Sequence, residues 1–452
     1  MANTYLQRST TTRTNNQAYT FSCWFKRSAL VNGRICINYL DGNNRGYISI
    51  NGDSNLYCYD KVGGVVIDDR QSLFQLRDTN GWYHYVQSVN NLANGSGGSV
   101  NDRFKTYLNG VDVSDQWTKN TGMAYNVNIG MQSVSGTNGY KLGSQETGSD
   151  NFNGLMSHVH FVDGLQLPAS TFGETDATTG EWKIKTSPTV SEYGNNGFFI
   201  LKDGNSLTDQ SGKGNNLTVG GGTLTKTEDS PSNVFATWNP LIGRHTNGTN
   251  LVPTLSNGNT TSFSDGSTWQ VGLSTLAASS GKYYTEVKWI SDSNTRYSEI
   301  GLYEVDAFAQ KITGYPYMPD MANCYGLRDS DGKIRTGGSA TSYGVSYGPS
   351  NIISVAMDLD NNKLYYAKDG VWMNSANPSS GTGGFSITAN KTYAFGLQQY
   401  AVGNITFSTN FGNGYFGTTA VSSAGTNASG IGIFEYDVPT GFTALSTKGL
   451  NL

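Results

Sequence analysis

Charge, cysteine and long apolar runs are all scarce in this chain, and each scarcity excludes something. Charged residues make up 14% of the 452 residues and the formal net charge is −4. No cluster of lysine and arginine stands out, so the concentrated basic footprint of a nucleic-acid binder is missing and no nucleic-acid partner is expected. No apolar run approaches the ~20 residues that cross a bilayer as a helix, so no membrane insertion is expected. The first residues, MANTYLQRST, are polar and lack the core of a signal peptide. The expectation is synthesis in a cytosol and release by a route other than secretion, such as lysis. The cysteines are Cys23, Cys36, Cys58 and Cys324. They form no C-x-x-C pair and no metal-like spacing, so free structural thiols are expected. No G-x-S-x-G elbow, P-loop or dinucleotide fingerprint occurs, which leaves nucleophilic catalysis and phosphate chemistry without a starting residue.

What the chain has in abundance is glycine, tyrosine and small polar residues. Glycine supplies 57 residues and tyrosine 27, where glycine is usually about 7% of a protein. Such a composition suits many short strands separated by tight turns, and a length of this order suits two all-β domains. Alternation supports the strands. Phe21, Cys23 and Phe25 share one face while Ser22, Trp24 and Lys26 share the other. Trp82, His84 and Val86 alternate with Tyr83, Tyr85 and Gln87. Tyr283, Thr285, Val287 and Trp289 line one face, as do Ile353, Val355, Met357 and Leu359. Asn109-Gly110 and Asp369-Gly370 sit between such runs as hairpin turns. Helical periodicity never exceeds about ten residues, and Ala169 to Phe172 has room for one turn. Thr237 to Leu241 reads as a terminal strand, and the Ser-, Ala- and Gly-rich stretch from Val421 to Gly430 as a long surface loop, either a mobile turn or a ligand contact.

Ordered motifs carry a resemblance. TFSCWFKRS from Thr20, GWYHYVQSV from Gly81, DRFKTYLNGVDV from Asp102, FNGLMSHVHFVDG from Phe152, STFGETDATTGEWKIK from Ser170, YGNNGFFI from Tyr193, DQSGKGNN from Asp209 and DSPSNVFATWNPL from Asp229 follow one another. In that order they resemble the LamG-like, concanavalin-A-type jelly-roll domain of virion proteins of marine tailed phages. GKYYTEVKW from Gly281, EIGLYE from Glu299, VAMDLDNNKLYYAKDGVW from Val355 and ITFSTNFGN from Ile405 resemble a SPRY-type sandwich. The expected architecture is therefore all-β, with two antiparallel β-sandwich domains: a LamG/concanavalin-A-like jelly roll over 1–240, a linker over 241–254 and a SPRY-like sandwich over 255–452. The resemblance implies a virion protein, of tail-fibre, receptor-binding or capsid-decorating type. Its implied partners are other virion proteins and host-surface carbohydrate, with self-association left open.

Candidate chemistry divides between acids, histidines and aromatics. Glu304-Val305-Asp306-Ala307-Phe308 is similar to the start of the E-x-D-x-x-E strand of retaining glucanases, which need two carboxyls about 5–5.5 Å apart. The last position here is Ala309, so no catalytic residue is assigned and no enzymatic activity is expected. His158 and His160, two apart, would share a strand face and could ligate zinc, but no third ligand is recognisable; these two and His84 are read as packed strand residues. Asp68-Asp69 and Asp329-Ser330-Asp331-Gly332 offer oxygens to calcium and serve equally as turn formers. Calcium stays an option; no other cofactor is expected. Sugar recognition sets aromatic faces against C–H surfaces, and the candidates in or beside loops of the second domain are Tyr315, Tyr317, Tyr325, Tyr343, Tyr347 and Trp372.

Overall fold

The computed structural model describes residues 4–133, 138–202, 206–242, 252–264, 269–292, 296–310, 317–401 and 404–452. They divide into two compact units, Met1–Lys226 and Thr227–Leu452. Both are β-sandwiches, as the alternation requires.

Among the described residues of the first unit, an eight-stranded sheet runs in the order Trp117–Thr121, Val65–Gln75, Asn55–Val62, Asn44–Ile50, Gly33–Asp41, Gly139–Leu142, Tyr5–Arg8 and Thr218–Gly221. A six-stranded sheet runs Phe198–Ile200, Gly154–Asp163, Ala18–Arg27, Tyr83–Asn90, Phe104–Leu108 and Val111–Asp112. Phe21, Cys23 and Phe25 from the second sheet meet Ile48, Leu56, Cys58 and Leu142 from the first in one core. Burying each such side chain contributes roughly 1.5–3 kcal/mol before chain entropy is counted. All four cysteines are free and buried. The Asn109-Gly110 turn has φ 48° and 82°, the paired positive values that a two-residue hairpin demands.

Alternation alone would put Ser22, Trp24 and Lys26 in solvent. They are buried instead, because a second apolar layer covers the outer face of the six-stranded sheet. Val86, Val162, Phe172, Tyr193 and Phe199 form it, with Trp182 packed against it. Trp182 comes from a small hairpin, Gly173–Thr175 with Trp182–Ile184. Its ring lies over Gly110 and Gly173, where an added Cβ would come within 2.5 Å and 2.4 Å of it. The single turn expected at Ala169 is a 3₁₀ turn over Ala169–Thr171.

In the second unit a nine-stranded sheet contains Thr254–Ser256, Thr261–Ser264, Ile405–Asn410, Lys282–Asp292, Ile352–Asp358, Lys363–Lys368 and Val371–Trp372 in that order, among the described residues. Phe385–Ser386 and Thr443–Ala444 pair at its sides. The opposing sheet runs Gln270–Leu273, Tyr393–Ala401, Arg296–Glu304, Tyr325–Arg328, Lys333–Thr336 and Ser339–Ser342. Tyr283, Val287, Trp289, Ile353, Val355, Met357 and Leu359 face the shared core, as their alternation predicts.

The division between the units falls earlier than the expected break at 240. Ala236 and Trp238 belong to the core of the second unit, and Trp238 meets Phe411 edge to face at 5.0 Å. Ala236 N–H donates to the Leu445 carbonyl at 2.9 Å, and Phe235 bridges Ser446. The segment from Asp229 thus tracks the second core through its aromatic residues, although its motif travels with the first half of the sequence. Thr237 to Leu241 forms one isolated bridge, Trp238 with Ser274, rather than a strand. Of the expected linker, residues 243–251 lie outside the described residues. Replacing Trp238, 1% exposed, with alanine should cost about 3–5 kcal/mol. Urea unfolding followed by a probe of the second unit should show it, and a loss under 1 kcal/mol would contradict this placement.

Candidate functional site

The outer face of the nine-stranded sheet carries a second apolar layer too. Tyr284, Ala356 and Tyr365 project from the strands, and Phe434, Val438 and Phe442 cover them. One carboxylate fastens this cover. Glu286 is fully buried and accepts the N–H groups of Glu435 at 2.8 Å and Tyr436 at 2.9 Å, with Asn410 Nδ2 at 3.4 Å. Tyr284 Oη donates to Glu286 Oε1 at 3.0 Å and lies 2.9 Å from Ser354 Oγ. Burial pushes the Glu286 carboxyl up to about 7, although the four donors pull against that shift.

The Val421–Gly430 stretch runs beside this cover as a hydrogen-bonded loop. Gly425 N–H donates to the Phe434 carbonyl at 2.9 Å. Asp437 Oδ1 accepts the Thr426 N–H at 2.7 Å and its hydroxyl at 2.8 Å, which lowers the Asp437 carboxyl's titration. Asn427 Nδ2 donates to the carbonyls of Ile431 and Gly432.

Where the cover meets the Asp369-Gly370 hairpin, a cavity of about 210 Å³ opens, lined by Tyr284, Ser354, Ala367, Trp372, Tyr436 and Asp437. The turn takes φ 49° and 80°, and Tyr436 lies against Gly370 so closely that a Cβ there would come within 2.7 Å of its ring. Trp372 and Tyr436 are half-buried. The cavity therefore joins two aromatic rings to the Tyr284 and Ser354 hydroxyls and one exposed carboxylate. It is smaller than the ~300–1,000 Å³ clefts that hold drug-sized molecules.

A second aromatic group lies on the other sheet. Trp269 sits 5.3 Å from Tyr317, 5.3 Å from Tyr400 and 6.1 Å from Tyr297, centroid to centroid. Tyr297 and Tyr400 are cross-strand partners, and Tyr297 is 46% exposed.

Of the six expected aromatic residues, Trp372 lines the cavity and Tyr317 joins the second group. Tyr315 lies outside the described residues. Tyr325, Tyr343 and Tyr347 are corrected: they are 5%, 7% and 5% exposed and belong to the core. Tyr347 Oη donates to the Leu327 carbonyl at 2.8 Å, and Tyr343 meets Tyr366 edge to face. Sequence reasoning missed Tyr284, Tyr436, Trp269, Tyr297 and Tyr400. Strand parity held a signal for Tyr297 and Tyr400, since Ile300 and Leu397 mark the inward residues of their strands.

The polar candidates resolve into structural parts. Glu304 ends its strand and accepts the N–H groups of Asp306 at 3.3 Å and Ala307 at 2.7 Å, capping the short helix Val305–Gln310. Asp68 and Asp69 point to opposite faces: Asp68 is buried and holds Arg70 Nε at 2.7 Å, whereas Asp69 lies on the outer side. Asp331 binds Arg328 Nε at 2.9 Å, and that partner holds its carboxyl down near 2. Among the described residues no group of three or more metal-binding side chains comes together.

Among the described residues, His84, His158 and His160 share one neighbourhood on the six-stranded sheet, His84 beneath Trp182. His84 is stacked 4.6 Å from Trp24 and 6.0 Å from Trp182. Trp182 Nε1–H donates to His84 Nδ1 at 2.9 Å, and Ser22 Oγ lies 2.9 Å from Nε2. The neutral ring must then carry its proton on Nε2. His160 Nδ1 pairs with Tyr193 Oη at 2.9 Å. A register shift between Ser157 and His160 interrupts the regular alternation expected for His158 and His160, and His158 takes φ 47°. Burial lowers His84 to about 3 and His160 well below its usual value, each helped by the charge of His158.

A laminin-G-type family profile, described as the concanavalin A-like lectin/glucanases superfamily, matches residues 1–171. No curated protein matches the chain. Among solved structures, the SPRY domain of human HERC1 is 14% identical, with a TM-score of 0.24, over 32% of this chain and 83% of that one. A candidate carbohydrate binding protein from Bacteroides ovatus is 15% identical, with a TM-score of 0.33, over 50% of this chain and 58% of that one. Stonustoxin is 17% identical, with a TM-score of 0.28, over 39% of this chain and 27% of that one.

Two outcomes follow. The unfolded chain, with histidines near 6.5, binds more protons than the folded one as pH falls below that value. The histidine contribution to stability is therefore full above about pH 6.5 and is lost as pH falls toward 3. NMR of the imidazoles should show His84 neutral, protonated on Nε2 and not titrating from pH 8 to 5; a midpoint near 6.5 would contradict the packing. Glu286→Ala should leave the Glu435 and Tyr436 amides unaccepted, at about 1–3 kcal/mol each. Hydrogen exchange across 425–437 should accelerate, and unchanged protection there would contradict the fastening role.

Proposed function

We propose that this chain is a non-catalytic carbohydrate-binding protein displayed on a phage particle, where its second unit holds a host-surface glycan. The observation that carries this reading is the cavity lined together by Trp372, Tyr436, Tyr284, Ser354 and Asp437. A sugar ring presents C–H surfaces that pack on aromatic side chains and hydroxyls that polar groups orient. The Trp269–Tyr317–Tyr400 group supplies a further surface for the same chemistry.

Binding without cleavage is supported by what the acids do. Glu304 spends its carboxylate on the amides of Asp306 and Ala307, and Ala309 stands where a second catalytic acid would be needed. The similarity of residues 1–171 to the concanavalin A-like superfamily supports a sugar-related role, since that superfamily includes lectins. It includes glucanases as well; the non-catalytic reading rests on the missing second acid beside Glu304 in the second unit. Placement on a virion rests on the ordered motifs of the sequence, and its partners there would be other virion proteins.

A glycan array probed with the full chain should show discrete binding. Trp372→Ala should weaken it at least about tenfold, the equivalent of about 1.4 kcal/mol, without releasing reducing sugar in either form. Binding unchanged in that variant, or reducing sugar released by the parent and lost in Glu304→Gln, would overturn the reading.

A further inference from the structure

The outer face of the eight-stranded sheet in the first unit carries a ladder that the pocket reading does not use. Ile48, Ile50, Leu56 and Cys58 point into the core. Their neighbours Tyr47, Tyr57 and Tyr59 point the other way and stay partly exposed. Tyr47 and Tyr59 are cross-strand partners, with rings 5.1 Å apart and 19° from parallel, and Tyr57 lies 6.0 Å from Tyr47. Two arginines stack on this strip. The Arg34 guanidinium lies 3.6 Å over the Tyr47 ring and that of Arg45 lies 5.8 Å over Tyr59. Arg45 reaches Glu146 at 3.9 Å. Arg34 makes no ion pair among the described residues, so its charge is held in place by a ring and balanced by no carboxylate.

We propose that this tyrosine–arginine ladder binds an acidic polysaccharide, specifically a chain of uronate sugars. Tyrosine rings offer flat faces to sugar C–H surfaces. A guanidinium presents a planar fork that matches a carboxylate with two parallel hydrogen bonds. Stacking on Tyr47 pre-orients that fork, so less side-chain freedom is lost when the anion arrives. Charge density selects the occupant. The face offers Arg34 and Arg45, with Lys61 as the register partner of Arg45, but also carries Asp69, the register partner of Tyr59, with Glu146 beside Arg45. That balance suits one carboxylate per sugar better than dense sulfation. Nucleic acid would need a more concentrated basic footprint than two arginines and one lysine among carboxylates. This site uses different residues from the Trp372 cavity and stands or falls independently of it.

The test is affinity electrophoresis of the full chain through gels containing alginate as the polyuronate, with dextran, dextran sulfate and a single-stranded oligonucleotide as alternatives. Alginate should retard the parent protein. Arg34→Gln and Tyr47→Ala should each weaken that retardation at least about tenfold, and Arg34→Lys should recover only part of it. Added salt should weaken it as well. The Arg34-dependent part of the retardation should persist in Trp372→Ala, which separates this site from the cavity. Melting temperatures of the Arg34 variants identify any loss through unfolding, and Arg34→Lys then carries the comparison. Absence of retardation by alginate, retardation equal in folded Arg34→Gln, or preference for dextran sulfate or the oligonucleotide over alginate would each overturn the proposal.

Discussion

The outer layer of the second unit depends on one buried carboxylate, Glu286. A two-sheet sandwich ordinarily keeps its apolar residues between the sheets. Here Tyr284, Ala356 and Tyr365 face outward and need a cover. The chain supplies one from its C-terminal stretch, which has little regular structure and no ladder of its own to hold it in place. Glu286 fastens that stretch by taking the amides of Glu435 and Tyr436. The cavity wall formed by Tyr436 is set by that fastening and by the close fit of its ring to Gly370. The first unit solves the same problem with a different device. There the Trp182 hairpin closes the outer face, and a neutral His84 between Trp24 and Trp182 supplies the polar contact.

Much of the fold could be read from alternation and turn chemistry. Phe21, Cys23 and Phe25, and likewise Ile353, Val355 and Met357, point into the cores they were expected to fill. Asn109-Gly110 and Asp369-Gly370 adopt the positive φ values that hairpins need. Covering layers were not legible. Ser22, Trp24 and Lys26 have the pattern of an exposed face and are buried, because the segment that covers them is distant in sequence. The unit boundary escaped for a related reason: Ala236 and Trp238 are recruited by the core of the second unit across a long separation in sequence.

The candidate site was legible only in part. Trp372 and Tyr317 could be chosen because aromatics beside turns are open to ligands. Tyr325, Tyr343 and Tyr347 look alike in sequence, yet all three pack into the core, Tyr325 from a strand and the other two from the segment after Ser342, where Tyr347 finds a carbonyl for its hydroxyl. In a chain this rich in tyrosine, residue type cannot separate a core ring from an exposed one. Parity along each strand does so better, and it is what distinguishes Tyr47 and Tyr59 from Ile48 and Cys58. The acids illustrate the converse. Glu304 has the local look of catalysis, and its surroundings make it a helix cap.

The central claim is that an aromatic cavity on a covered sheet face holds a sugar and leaves it intact. A crystal of the full chain grown with an oligosaccharide from its host's surface tests that most directly. The account predicts an unbroken sugar ring packed on Trp372 and Tyr436, with hydroxyls reaching Tyr284 or Ser354. A sugar bound only elsewhere, or a cleaved product beside Glu304, would contradict it.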